Sequence, residues 1–280
     1  MDWRGRRGSR NIEDRRGSTG AKAGSIGGVG VIAVLLIGYF FGIDVSPLLQ
    51  DTGTQSSAPT ELTQADHEAG EFVSVTLADT EEVWAQLFRS QLGREYRPAT
   101  LVLFKGVTQS PCGGASGATG PFYCPADRKA YLDTDFFTVL ETRLGAKGEF
   151  AAAYVVAHEI AHHVQNELGI LGQANQLRQQ VSQADSNAIS VRIELQADCL
   201  SGVWARTAAQ KFGTIGRADI EQAVNAARQI GDDTLQKAAG QRPMPHTFTH
   251  GTAEQRSRWF VTGLQSGQIA TCDTFATDNL

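Results

Sequence analysis

The chain has 280 residues, 41% of them hydrophobic, enough for one good-sized domain with appendages. Its net charge of −5 gives no support to nucleic-acid binding. None of its four cysteines has a partner at short ligand spacing, which argues against zinc held by cysteine.

The charge is uneven along the chain. Residues 1–25 carry seven basic side chains (Arg4, Arg6, Arg7, Arg10, Arg15, Arg16, Lys22) against Asp2, Glu13 and Asp14, a local +4 that leaves −9 for the remainder. This basic segment precedes residues 26–43, 18 residues without a charge. Such a run is just long enough to cross a bilayer as one helix, with its positive flank kept in the cytoplasm. The exit from the run lacks a small-x-small cleavage signal, so an uncleaved anchor is expected rather than a signal peptide. Five glycines argue against a core helix there. Residues 44–66 read as a flexible, solvated linker. The folded domain is then expected over 67–280 on the far side of the lipid bilayer, periplasmic or extracellular, with His67 exposed at its start.

Within the domain, Asp79 looks like the cap of a helix whose stripe is Val83, Trp84, Leu87, Phe88 and Leu92. Residues 99–104 read as a buried strand, followed by a Gly-rich loop bracketed by Cys112 and Cys124. That loop lacks the lysine and helix start of a phosphate-binding loop. Residues 122–125 and 129–133 pair as short strands around a turn. The second of them, through Tyr131, Leu132 and Asp133, offers an edge on which an extended peptide substrate can lie by backbone pairing. Thr134 or Asp135 can cap the next helix, which ends near Gly145.

Residues 149–168 form an Ala-rich, nearly uncharged helix interrupted by His158-Glu159-x-x-His162. Side chains four apart on a helix lie about 40° apart around its axis, so both imidazoles can grip one ion. Glu159 sits beside them without being a ligand, where a general base for a zinc-activated water belongs. So apolar a helix is expected inside the fold, with the motif facing a cleft. His163 points about 100° away from His162 and is expected to pack rather than ligate.

Residues 173–183 read as a solvated helix or flap, and 187–212 as a second long helix containing Glu194-Leu-Gln-Ala-Asp198. A metal held by two histidines needs a third protein ligand and keeps one position open, and Glu194 is the candidate. Asp198, one turn on and set among apolar neighbours, can take a proton from the far nitrogen of His158 or His162 and orient the ring. Further on, His250 stands just before a helix capped by Thr252, where it can stabilise the oxyanion of a peptide undergoing hydrolysis. For the cysteines, Cys112–Cys124 with Cys199–Cys272 is one of three possible disulfide connectivities.

Taken together, Gly120-Pro-Phe-Tyr-Cys-Pro125, Tyr131-Leu-Asp133, His158-Glu-Ile-Ala-His-His163, Glu194-Leu-Gln-Ala-Asp-Cys199 and Thr249-His-Gly-Thr-Ala-Glu-Gln-Arg256 resemble the neutral zinc metallopeptidases of bacteria, a small gluzincin-like group. The resemblance covers nearly the whole chain. It implies an α+β catalytic domain with Zn2+ on His158, His162 and Glu194 and Glu159 as base. The expected fold is therefore a mainly helical, zincin-like α+β domain with a small β-sheet, preceded by one transmembrane helix. The expected activity is zinc-dependent endopeptidase action on extracytoplasmic proteins or peptides. Two rivals are a non-catalytic, zinc-stabilised binding domain, which has no need of Glu159, and a zinc amidase acting on cell-wall peptides.

Overall fold

The computed structural model describes residues 1–17, 61–116 and 120–280. A helix this apolar can be stable only inside, and Glu149–Glu167 (α3) is the hub: almost every side chain from Phe150 to Ala161 is buried. Its run of alanines keeps the surface low, so neighbours approach closely on all sides. These are Gln64–Leu87 (α1), Gln183–Phe212 (α5), Arg217–Gln229 (α6) and the sheet. Phe150 stacks on Trp204 of α5, ring centroids 5.9 Å apart.

The four-stranded sheet has the order β1 (Ile12–Asp14), β2 (Thr100–Phe104), β6 (Lys129–Asp133), β5 (Phe122–Cys124). The first three run parallel, with Leu101 opposite Ala130 and Leu103 opposite Leu132, and β5 returns antiparallel. A separate antiparallel hairpin is made by β3 (Val107–Ser110) and β4 (Gly113–Ser116). Short helices Phe136–Thr142 (α2), Ile170–Arg178 (α4) and Asp232–Ala238 (α7) link the larger elements, and Ala253–Ser266 (α8) closes the fold against α5. Thr252 caps α8 reciprocally with Gln255, as its sequence suggests.

Helices α5 and α8 meet backbone to backbone at two glycines. A Cβ on Gly263 would stand 1.8 Å from the Cys199 carbonyl oxygen, and one on Gly202 2.0 Å from that of Phe260. Disulfides join Cys112 to Cys124 and Cys199 to Cys272; the second ties the segment after α8 back to α5.

Three expectations are corrected. First, the basic N-terminal segment belongs to the domain. Trp3 is 3% exposed and packs edge-on against Phe72 of α1. β1 pairs with β2, and Arg16 reaches the main-chain oxygen of Asp66. Residues on both sides of 18–60 thus lie on one face of one fold, which a single bilayer crossing between them would prevent. Among the described residues no helix is long and apolar enough to cross a membrane. The expected transmembrane helix and single-pass topology are therefore not supported; the run 26–43 lies outside the described residues, as does the linker up to residue 60.

Second, Asp79 caps nothing. α1 begins at Gln64, behind a Thr63–Asp66 capping box, and runs straight through Asp79. The buried Asp79 carboxylate accepts from both terminal guanidinium nitrogens of Arg6, Nη1 and Nη2, at 2.7 and 2.6 Å. Third, the strand carrying Tyr131, Leu132 and Asp133 is not an edge. β2 and β5 occupy its two sides, so among the described residues the outer strand beside α3 is β5.

Candidate metal centre

α3 and α5 cross so that His158, His162 and Glu194 converge, with one ligand atom from each lying within 4.8 Å of the others. His158 Nε2 is 3.0 Å from Glu194 Oε2, and His162 Nε2 is 3.4 Å from Oε1. A tetrahedral zinc with bonds of about 2.0–2.2 Å separates its ligand atoms by about 3.3–3.5 Å, so this donor set has the right chemistry and nearly the right spacing. Both rings turn Nε2 to the common point: Nδ1 of His162 is hydrogen-bonded to Gln165 Oε1 at 2.8 Å, while Nδ1 of His158 lies 3.0 Å from Asp198 Oδ1 as an ion-pair contact without hydrogen-bond alignment.

Electrostatics keeps the ligand anionic. Burial raises the Glu194 carboxyl, but His162, His250 and His158 outweigh it and hold it well below the usual range. Burial likewise opposes ionisation of Asp198, and Arg256 overcomes it. Arg256, itself 2% exposed, donates Nε to Oδ2 at 2.9 Å and Nη2 to Oδ1 at 3.0 Å, and Tyr154 donates its hydroxyl to the same Oδ1. Asp198 therefore faces His158 as a fully engaged carboxylate, held from behind by a buried cation.

Glu159 differs from the other acids. Its Oε2 is buried and finds no hydrogen-bond partner among the described residues. Burial pushes its carboxyl up, against the pull of His162 and His158. A buried carboxylate oxygen left bare is costly unless something at the site uses it. Near Glu194, the His250 side chain is 42% exposed, and Asp232 supports it. Asp232 Oδ2 accepts the backbone N–H groups of Thr249, His250 and Gly251 at 2.8, 2.7 and 3.0 Å, while Oδ1 lies 3.3 Å from the ring Nδ1. The ring titrates above its ordinary value, since Glu194 and Asp232 together outweigh its burial.

His163 stays out of the site, as expected from its angle. Its Nε2 donates to the Arg97 carbonyl at 2.6 Å and its Nδ1 accepts from the Tyr123 hydroxyl at 3.0 Å. Four functional residues escape the sequence reading: Gln165, Arg256, Tyr154 and Asp232. Gln165 had a signal, because positions 158, 162 and 165 share one helical stripe and a glutamine is unexpected on a buried face. Asp232 had none, lying 18 residues before His250 in an unremarkable acidic pair.

No solved structure matches the chain. It is 43% identical to the uncharacterized protein YpfJ of Escherichia coli strain K12 over 98% of this chain and 99% of that protein. It is also 47% identical to the uncharacterized protein Rv2575 of Mycobacterium tuberculosis strain H37Rv, over 64% of this chain and 62% of the relative. The family described as "Putative neutral zinc metallopeptidase" matches residues 1–275, the span that holds every ligand and supporting residue named above, and the chain belongs to that family.

Proposed function

We propose that this chain hydrolyses peptide bonds as a zinc-dependent endopeptidase acting on proteins or peptides. The observation that carries the reading is the bare, buried Oε2 of Glu159 beside three converging ligands. A domain that used zinc only for stability has no reason to keep such a carboxylate there.

Zinc held by His158, His162 and Glu194 would supply Lewis acidity and an acidified water. Glu159 is placed to take a proton from the water that attacks the amide carbon. It returns the proton to the departing nitrogen as the carbon–nitrogen bond breaks. His250, partly exposed and supported by Asp232, donates to the carbonyl oxygen as charge develops there. Asp198, neutralised by Arg256, keeps His158 turned to the metal. The outer edge of β5, next to α3, is the place where an extended peptide can add a strand.

The test is Glu159→Gln, which preserves shape and cannot take the proton. Zinc content should stay near wild type while turnover on a diverse peptide library falls by orders of magnitude. Retained hydrolysis would remove Glu159 from the mechanism, and a wild-type protein inactive across the library would favour a non-catalytic zinc domain.

A further inference from the structure

The two histidine ligands are held by different devices. Behind His158 stands a carboxylate; behind His162 stands Gln165, a neutral amide with no exposed surface. Buried amides must satisfy both ends, and Gln165 does. Its Nε2 donates to the Ile193 carbonyl at 2.8 Å and to Gln196 Oε1 at 2.9 Å. Gln196 in turn donates Nε2 to the Cys272 carbonyl at 3.0 Å.

These bonds have a direction. Main-chain carbonyls only accept, so the amide nitrogen of each glutamine must face its carbonyl, which leaves each Oε1 as the acceptor at the other end. Gln165 Oε1 then faces His162 Nδ1 at 2.8 Å, and an oxygen that only accepts requires a proton on that nitrogen. In the neutral ring the lone pair is consequently on Nε2, the atom that faces Glu194.

We infer that Gln165 is a positioning residue that sets the tautomer and angle of His162 in advance of the metal, with Gln196 and the carbonyls of Ile193 and Cys272 fixing which way its amide points. The inference rests on the zinc-site reading above. It also explains the residue type. A glutamate at 165 could accept from His162 but would oppose two acceptors, Ile193 O and Gln196 Oε1, with none of the protons they need; a methionine could do neither. Because Ile193 and Gln196 flank Glu194, the same bonds tie the helix of two ligands to the helix of the third.

The experiment uses the full chain with Gln165→Met, Gln165→Glu and Gln196→Met. In zinc-free protein carrying 15N-labelled histidine, at a pH where the ring is neutral, His162 should be protonated on Nδ1. In Gln165→Met that preference should disappear. Zinc affinity, read by chelator competition, should drop about 10–100-fold in Gln165→Met and by less in Gln165→Glu, which keeps an acceptor toward His162 while losing the bonds to Ile193 and Gln196. Gln196→Met should lower the melting temperature and cost less zinc affinity than Gln165→Met, since Ile193 still orients Gln165. A ring protonated on Nε2 in the wild type overturns the inference, as do equal affinity losses in Gln165→Met and Gln165→Glu or no loss in either. If Gln165→Met does not fold, the wild-type tautomer and Gln165→Glu decide. A wild type that binds no zinc would refute the metal reading, while the tautomer would still be read directly.

Discussion

Replacing Gly263 by alanine sets two rules of helix energetics against each other. Within a helix, Gly→Ala normally stabilises by about 0.5–1 kcal/mol. At Gly263 the new Cβ would lie 1.8 Å from the Cys199 carbonyl oxygen, 2.7 Å from its carbon and 3.0 Å from Val203 N, all main-chain atoms that cannot rotate away. Ordinary contact begins at 3.4 Å, so α8 must retreat from α5 by the difference, 3.4 less 1.8, or about 1.6 Å. Arg256 rides on α8 two turns earlier, and such a shift stretches its 2.9 and 3.0 Å bonds to Asp198 beyond hydrogen-bond range. Overpacking costs about 1–3 kcal/mol, and breaking a buried ion pair about 3–5 when complete. With partial relaxation the sum is about 3 kcal/mol, which for a domain of this size lowers the melting temperature by about 6–12 °C. Gly172→Ala in α4, where nothing lies within 4 Å of the added carbon, is the control and should melt at or slightly above wild type. Calorimetry on both variants decides. A Gly263→Ala protein as stable as wild type, beside a well-behaved Gly172→Ala, would refute the contact argument.

Glu194→Ala deletes one of three protein ligands and should leave little zinc after dialysis. Asp198→Asn keeps all three and should lose about 10–100-fold in affinity, an effect that excess zinc rescues in the second variant far better than in the first. His250→Ala should lower kcat by about 10²–10³ with zinc retained, and Asp232→Asn by less; if Asp232 acts through His250, the double variant should be no slower than His250→Ala alone. Asp66 supplies a pH signature. Its bonds from Lys105 at 2.7 Å and from Thr63 outweigh burial and hold its folded pKa well below the usual carboxylate range. A depressed folded pKa contributes stability that is present above the unfolded value of about 3.9 and lost as pH falls below it. The melting temperature should therefore drop as pH falls from about 4, and less steeply in Asp66→Asn.

What could be read from the sequence was what local spacing determines. His158, Glu159 and His162 share a face because of helical periodicity, Glu194 and Asp198 likewise, and the Thr252 cap needs only three residues. What could not be read depends on where separate segments meet. Asp232 reaches His250 because α7 docks beside the 249–251 loop, and Arg256 reaches Asp198 because two glycines let α8 close onto α5. A strand pair was legible at 122–133, but which member lies outermost was settled by β2, almost 20 residues earlier. The uncharged run at 26–43 met the length criterion for a membrane helix. Hydropathy does not register that Arg6 has a buried carboxylate waiting at Asp79, or that Ile12 continues a sheet begun by Leu101.

The place of that N-terminal strand bears on how the protein withstands cleavage or shortening. A chain starting at residue 61 retains every ligand and the base, yet it bares the flank of β2, whose residues Leu101–Phe104 are all buried. It also leaves Asp79 with a buried charge and no guanidinium. An uncovered apolar strand edge recruits strands from other molecules, and an uncompensated buried carboxylate costs about 3–5 kcal/mol. Such a fragment should aggregate, and a peptide of residues 1–17 supplied in trans should suppress the aggregation by occupying the vacated edge.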